Sequence, residues 1–168
     1  DVDFVGNIGR AYTGEPNPMG LPSPRRAALD VLAQRAEPVS TESEELDRRV
    51  REWIALSGEQ AVLDPEEFRR WESRAIEHAG TWTQPVNHGL VEPIPLARGR
   101  ELSTVRVPFL VIQGGQDPLN PPPHGRHLAD LIPGAGFEEI PALGHSLPSS
   151  LHGVIVRALV RHFREAGG

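Results

Sequence analysis

"VIQGGQDPLN", residues 111–120, decides how the chain is to be read. With "VPFL" leading into it, Val107 to Gly114 is an unbroken apolar run with β-branched members, the pattern of a strand buried on both faces of a parallel sheet. The run then stops on two glycines, an acid and a proline. In an open α/β sheet, groups just beyond the carboxyl ends of the strands share one crevice and can act together. A second run, "GFEEI" (Gly136 to Ile140), predicts another short strand, and the loop after it, Pro141 to Ser146, contains His145. Asp117 and His145 stand 28 residues apart (145 − 117), room for one helix and one strand, so the spacing sets them on adjacent loops at one sheet edge. A carboxylate that accepts from one imidazole nitrogen fixes the tautomer, stabilises the imidazolium and leaves the other nitrogen to act as base. On this reading the glycines allow a tight turn that aims Asp117 at the histidine. Singly, each residue has a plainer explanation: Asp before Pro is a common turn or cap residue, and Gly-His in a loop often has no role. The ordered pair on consecutive strand ends favours the chemical one.

A helix from about Pro122 to Leu131 joins the two strands. Ser149 is expected to cap a last helix with Leu151, Val154, Ile155, Ala158 and Leu159 on one face. The result is β-α-β-α, the unit of an open parallel sheet. Two strands alone are marginal in water, so further strands are expected, from a missing N-terminal half or from a second copy of the chain. No internal repeat supplies them.

Upstream the period changes to helical. Ser23 with Pro24 predicts a first helix through Glu37, with Leu29, Val31 and Leu32 as its apolar positions. Thr41 with Glu44 forms a capping box for a second helix ending at Gly58, whose face holds Leu46, Val50, Trp53 and Ile54. Asp64, Pro65 and Glu67 start a third, with a stripe of Phe68, Trp71, Ala75, Ile76 and Ala79 and Gly80 as its terminal cap. The acidic run "TESEELD" is read as a helix start facing water. Residues 81–100, with three prolines and little periodicity, read as an extended connection. The chain therefore divides into a lead-in segment (1–22), a helical cap region with its connecting loop (23–100) and a C-terminal α/β portion (101–168).

Composition narrows the function classes. The chain has 168 residues, 38% of them hydrophobic and 24% charged, enough for one domain with a core. It has no Lys, and its 17 Arg are outnumbered by 23 acids, which argues against a nucleic-acid partner. The lack of Cys removes disulfides, thiolate metal sites and a cysteine nucleophile, and fits a cytoplasmic setting. No stretch approaches the roughly 20 apolar residues of a membrane span. Asp1 is expected to be an internal residue of a longer polypeptide. His124 and His127 share a helix face, but with no further ligand at metal spacing they read as surface histidines, so no metal is expected.

Residues 107–163, with "VIQGGQDPLNPPPHGRHLADLIPGA" and "EIPALGHSLPSS", resemble the C-terminal part of an α/β-hydrolase. The helical region before them looks like the cap this fold inserts over its active site. More narrowly, "GEPNPMGLPSP", "FRRWESRAIEHAG" and "HGRHLADLIP" are similar to the aclacinomycin methylesterase group of polyketide-tailoring hydrolases. The resemblance implies an α/β class: the C-terminal βαβα portion of an α/β-hydrolase parallel sheet plus a helical cap, with the N-terminal half of the fold absent. By it, Asp117 matches the triad acid and His145 the triad base. The family's nucleophile stands on a G-x-S-x-G elbow earlier in the chain, and no such elbow occurs here. Ser57 sits at a cap-helix end, Ser146 directly follows His145, and Ser149 and Ser150 open the last helix.

The function expected is therefore that of the cap and C-terminal portion of a serine hydrolase, a carboxylic ester hydrolase of methylesterase type, inactive alone and needing no cofactor. The expected substrate is a small apolar or aromatic ester. Trp53, Phe68, Trp71 and Trp82 could line an apolar pocket, although helical spacing gives the first three to core packing; Trp82 in the connecting loop, with His88, is the better substrate contact, ahead of Trp71. The same acid-histidine pair serves dehalogenases, epoxide hydrolases and C–C bond hydrolases, where an Asp in the elbow would mark the first two. A non-catalytic ligand-binding or assembly module is the alternative outside enzymes.

Overall fold

In the computed structural model, residues 16–17, 19–83 and 99–167 are described. His88 and most of the connecting loop lie outside them. The helical region holds α1 (Arg26–Ala33), running into a short 3-10 turn, Gln34–Ala36, then α2 (Glu42–Leu56) and α3 (Pro65–Ala79). A short helix, α4 (Gly99–Leu102), precedes β1 (Leu110–Gly114), α5 (His124–Leu131), β2 (Gly136–Ile140) and α6 (Ser149–Ala166). The strands pair in parallel, Leu110 opposite Gly136 through Gly114 opposite Ile140, and among the described residues they form a two-stranded sheet. The β-α-β-α order and the parallel pairing are as the apolar runs predict.

The start signals of α2 and α3 work as read. Thr41 accepts from the Glu44 N–H while the Glu44 carboxylate accepts from the Thr41 N–H, and Asp64 accepts from the Glu66 N–H ahead of Pro65. Gly80 ends α3 in the left-handed conformation at φ +68°. Helix α2 stops at Leu56, with Ser57 as its C-terminal cap residue.

Other expectations need correction. Helix α1 begins three residues after Ser23, because Arg25 is held extended with its N–H on the Pro118 carbonyl at 2.7 Å. Strand β1 starts at Leu110, not Val107: Pro108 offers no N–H to a ladder, and Val107 and Phe109 are exposed rather than buried. Helix α5 starts at His124, since Pro121 and Pro122 each precede a proline and are pushed out of the helical region. Ser149 is the first residue of α6 and does not cap it; its hydroxyl donates to Glu67 at 3.0 Å, and its N–H reaches both oxygens of the same carboxylate at 3.2 and 3.3 Å. A carboxylate from α3 thus stands where the first turn of α6 needs acceptors.

The acidic run does not simply face water. Glu45 is 1% exposed and lies between two guanidinium groups, bonded to Arg48 and, at 2.7 Å, to Arg49. Arg49 continues to Glu72 on α3 at 2.9 Å, and the Trp53 indole N–H donates to that carboxylate at 2.6 Å. Beneath this seam Phe68 is fully buried, stacked on Trp53 at 6.3 Å and meeting Trp71 edge to face at 5.4 Å. His124 is also buried rather than on the surface; its Nε2 donates to the Pro22 carbonyl at 2.8 Å and fastens the lead-in segment to α5. A small core of Ala28, Leu56 and Leu119, with Leu32 against it, ties α1 and the end of α2 to the loop after β1.

Candidate active site

Asp117 and His145 come together as their spacing predicts. The parallel register puts the carboxyl ends of β1 and β2 side by side, and the loops that follow are joined by the Gln116 N–H on the Leu143 carbonyl at 2.8 Å and the Gly115 N–H on the Ile140 carbonyl at 3.0 Å. Asp117 is 8% exposed. Its Oδ1 accepts from the N–H groups of Leu119 at 2.8 Å and Asn120 at 2.9 Å, and its Oδ2 accepts from His145 Nδ1 at 3.0 Å. A carboxylate can only accept, so the proton of the neutral imidazole sits on Nδ1 and the lone pair on Nε2.

The electrostatics follow the contacts. Burial works to raise the Asp117 carboxyl, but the hydrogen bond from His145, the N–H of Asn120, the imidazole's charge and the N–H of Leu119 outweigh it and hold the group below the usual carboxylate value. The hydrogen bond to Asp117, against the opposing effect of burial, lifts His145 above the ordinary imidazole value. The imidazole side chain keeps 38% of its surface open. Beside it lies a cleft of about 420 Å3 lined by Val111, Gln113, Asp117, Leu143, His145, Leu147 and Ile155.

The glycines of the opening stretch have a purpose beyond the turn. The Asp117 N–H does close a turn on the Gly114 carbonyl at 3.2 Å, yet neither glycine has a positive φ. What requires them is the neighbouring loop: a Cβ on Gly115 would lie 2.9 Å from the Pro141 backbone, and one on Gly114 would overlap the Gly144 carbonyl.

The aromatic candidates sit elsewhere. Trp71 is stacked on His152 at 6.5 Å, and Trp82 is half-buried with its carbonyl accepting from Arg49 at 2.8 Å. Neither is among the described residues that line the cleft beside His145. Among the described residues no serine hydroxyl bonds to the imidazole, and no group of three or more His, Cys, Asp or Glu could hold a metal ion. No helix among them is long and apolar enough to cross a membrane.

The contacts that sequence reading missed are those of Ser57 and Ser146, which are buried and bonded to each other through their hydroxyls. They are 89 residues apart, and no local pattern marks them as a pair.

No protein-family model matches the chain. It is 45% identical over 166 residues to the rhodomycin D methylesterase DauP of Streptomyces sp. (strain C5) and equally so to the rhodomycin D methylesterase DnrP of Streptomyces peucetius. Each alignment covers 99% of this chain and 56% of the relative. A solved structure of a probable hydrolytic enzyme from Pseudomonas aeruginosa PAO1 superposes with a TM-score of 0.49 at 18% identity, covering 82% of this chain and 52% of that one. The resemblance carried by "GEPNPMGLPSP" and "FRRWESRAIEHAG" thus has its counterpart in named proteins: the chain is a homologue of the rhodomycin D methylesterases and spans about half of their length.

Proposed function

We propose that the chain is the cap and C-terminal portion of a serine hydrolase that cleaves carboxylic esters, and that Asp117 and His145 are the acid and base of its triad. The observation that carries this reading is the 3.0 Å bond from His145 Nδ1 to a buried, otherwise satisfied Asp117 at the ends of two parallel strands, with Nε2 left to face a reactant. In the intact protein Nε2 takes the proton of a serine hydroxyl as its oxygen attacks the ester carbonyl. The same proton then passes to the departing alkoxide, which leaves as the alcohol, and a water repeats the sequence to free the acid. Asp117 holds the imidazole and stabilises its charged form throughout.

The serine and the oxyanion donors belong to sequence outside these 168 residues, either an N-terminal portion of the same polypeptide or another chain. The substrate on this reading is a small apolar or aromatic ester; similarity to the rhodomycin D methylesterases supports the ester class.

Turnover of an activated nitrophenyl ester tests this in two arms. A polypeptide extended through the N-terminal region of the relatives should be active and should lose about 10⁴-fold or more in kcat with His145→Ala. Full activity of that variant would refute the assignment of His145. The 168-residue chain alone should show no turnover; activity that disappears with His145→Ala would show that a nucleophile is already present.

A further inference from the structure

Four contacts fasten the end of α2 to the loops that hold the acid and the base. The His145 N–H donates to the Leu56 carbonyl at 2.7 Å. Ser57 Oγ donates to the Trp53 carbonyl at 2.7 Å, so its single proton is used and the Ser146 hydroxyl must be the donor in the Ser57–Ser146 bond. Gly144 rests directly on the backbone of Leu56 and Ser57, where any Cβ would overlap them. On the acid side, Gly58 at φ +78° lies against the Gln116 side chain, one residue before Asp117.

The chemistry at this junction is reciprocal. The last carbonyls of a helix lack partners within it. Here Trp53, Ile54 and Leu56 find theirs in the Ser57 hydroxyl, the Ser57 N–H and the His145 N–H. His145 and Ser146 in turn obtain fixed acceptors on both sides of the Cα that carries the imidazole. Ser57 and Ser146 are 0% and 1% exposed, so neither can exchange its partner for water.

We infer that the C-terminal end of α2, Leu56 to Gly58, sets the position of the His145 imidazole against Asp117, with Ser57, Ser146 and Gly144 as positioning residues. The helical layer is then part of the acid-base machinery and not only a cover over it. The inference rests on the reading of Asp117 and His145 as the working pair, but its test does not require catalysis.

The experiment follows the carbon-bound ring protons of His145 by NMR against pH in the 168-residue chain. Asp117 is the charged group that shifts this imidazole among the described residues, so the titration midpoint reports their contact. In Ser57→Ala and Ser146→Ala the midpoint should fall by about half a unit or more toward the value in Asp117→Asn, a threefold or larger change in proton affinity, with helix content by circular dichroism retained. A merely structural role would lower Tm and leave the midpoint at its wild-type value in both serine variants, which overturns the inference. Gly144→Ala is expected to act in the same direction; if it fails to fold, the serine variants decide. Ester hydrolysis unaffected by His145→Ala in the extended polypeptide would sink the functional reading while leaving this result intact.

Discussion

Asp117 and His145 are bound to each other at 3.0 Å, and each shift has a direction that can be measured. His145 is raised, so its contribution to stability is fully present below the unfolded imidazole value of about 6.5 and is lost as pH rises through its higher folded value. Asp117 is lowered, so its contribution is present above about 3.9 and is lost as pH falls through its depressed value. Urea denaturation of the wild type and Asp117→Asn should therefore differ most between those two limits, with the gap narrowing on either side of them; an equal gap at pH 5 and pH 9 would contradict the pairing. On the proposed function, the acid limb of kcat/KM in the extended polypeptide should have its midpoint above about 6.5, because His145 must lose its proton before it can accept one, and Asp117→Asn should move that limb down. The two residues were legible in the sequence because a βαβ unit forces consecutive strand ends together. Ser57 and Ser146 were not, because their meeting depends on how α2 crosses the loops, and a single sequence carries no signal for such a crossing.

At the scale of elements, two kinds of helix support can be separated. The capping box of α2 is local: Thr41→Ala should cost about 1 kcal/mol by denaturant titration, with the rest of the fold unaffected. Glu45 is not local in effect. Its carboxylate joins Arg48 and Arg49, and Arg49 hands the connection to Glu72 and the Trp82 carbonyl, so Glu45→Ala leaves two largely buried guanidinium groups short of an acceptor. That change should cost about 3 kcal/mol, and a loss no larger than that of Thr41→Ala would show the network to be solvated after all. Caps were readable because Thr-x-x-Glu and Asp-Pro act within one turn. The burial of Glu45 was hidden by its neighbours: "TESEELDRR" has the look of a water-facing helix start, and only the approach of α3 turns part of it inward.

For the molecule as a whole, the two layers are joined at more than one place. Among the described residues Phe68 is the largest fully buried side chain, and Phe68→Ala should cost about 3 to 5 kcal/mol and remove its stacked contact with Trp53 and its edge-to-face contact with Trp71, visible as a change in tryptophan fluorescence. The outer side of α6, by contrast, leaves Val156, Val160 and Phe163 exposed, with Val107 and Phe109 uncovered ahead of β1. The succession of helices followed by a β-α-β-α order was readable from the change of period. How firmly the two parts are fastened was not, since Glu67 with Ser149 and Leu56 with His145 are contacts over 82 and 89 residues of chain (149 − 67 and 145 − 56). Glu67 also acts across the two layers. It gives α6 a terminus completed from another layer, so parting α3 from α6 would strip the first turn of α6 of its acceptor at the moment of separation. Traffic into the cleft beside His145 is accordingly least costly by routes that leave this seam closed, and a molecule that admits its ligand by lifting α3 would have to loosen α6 with every arrival.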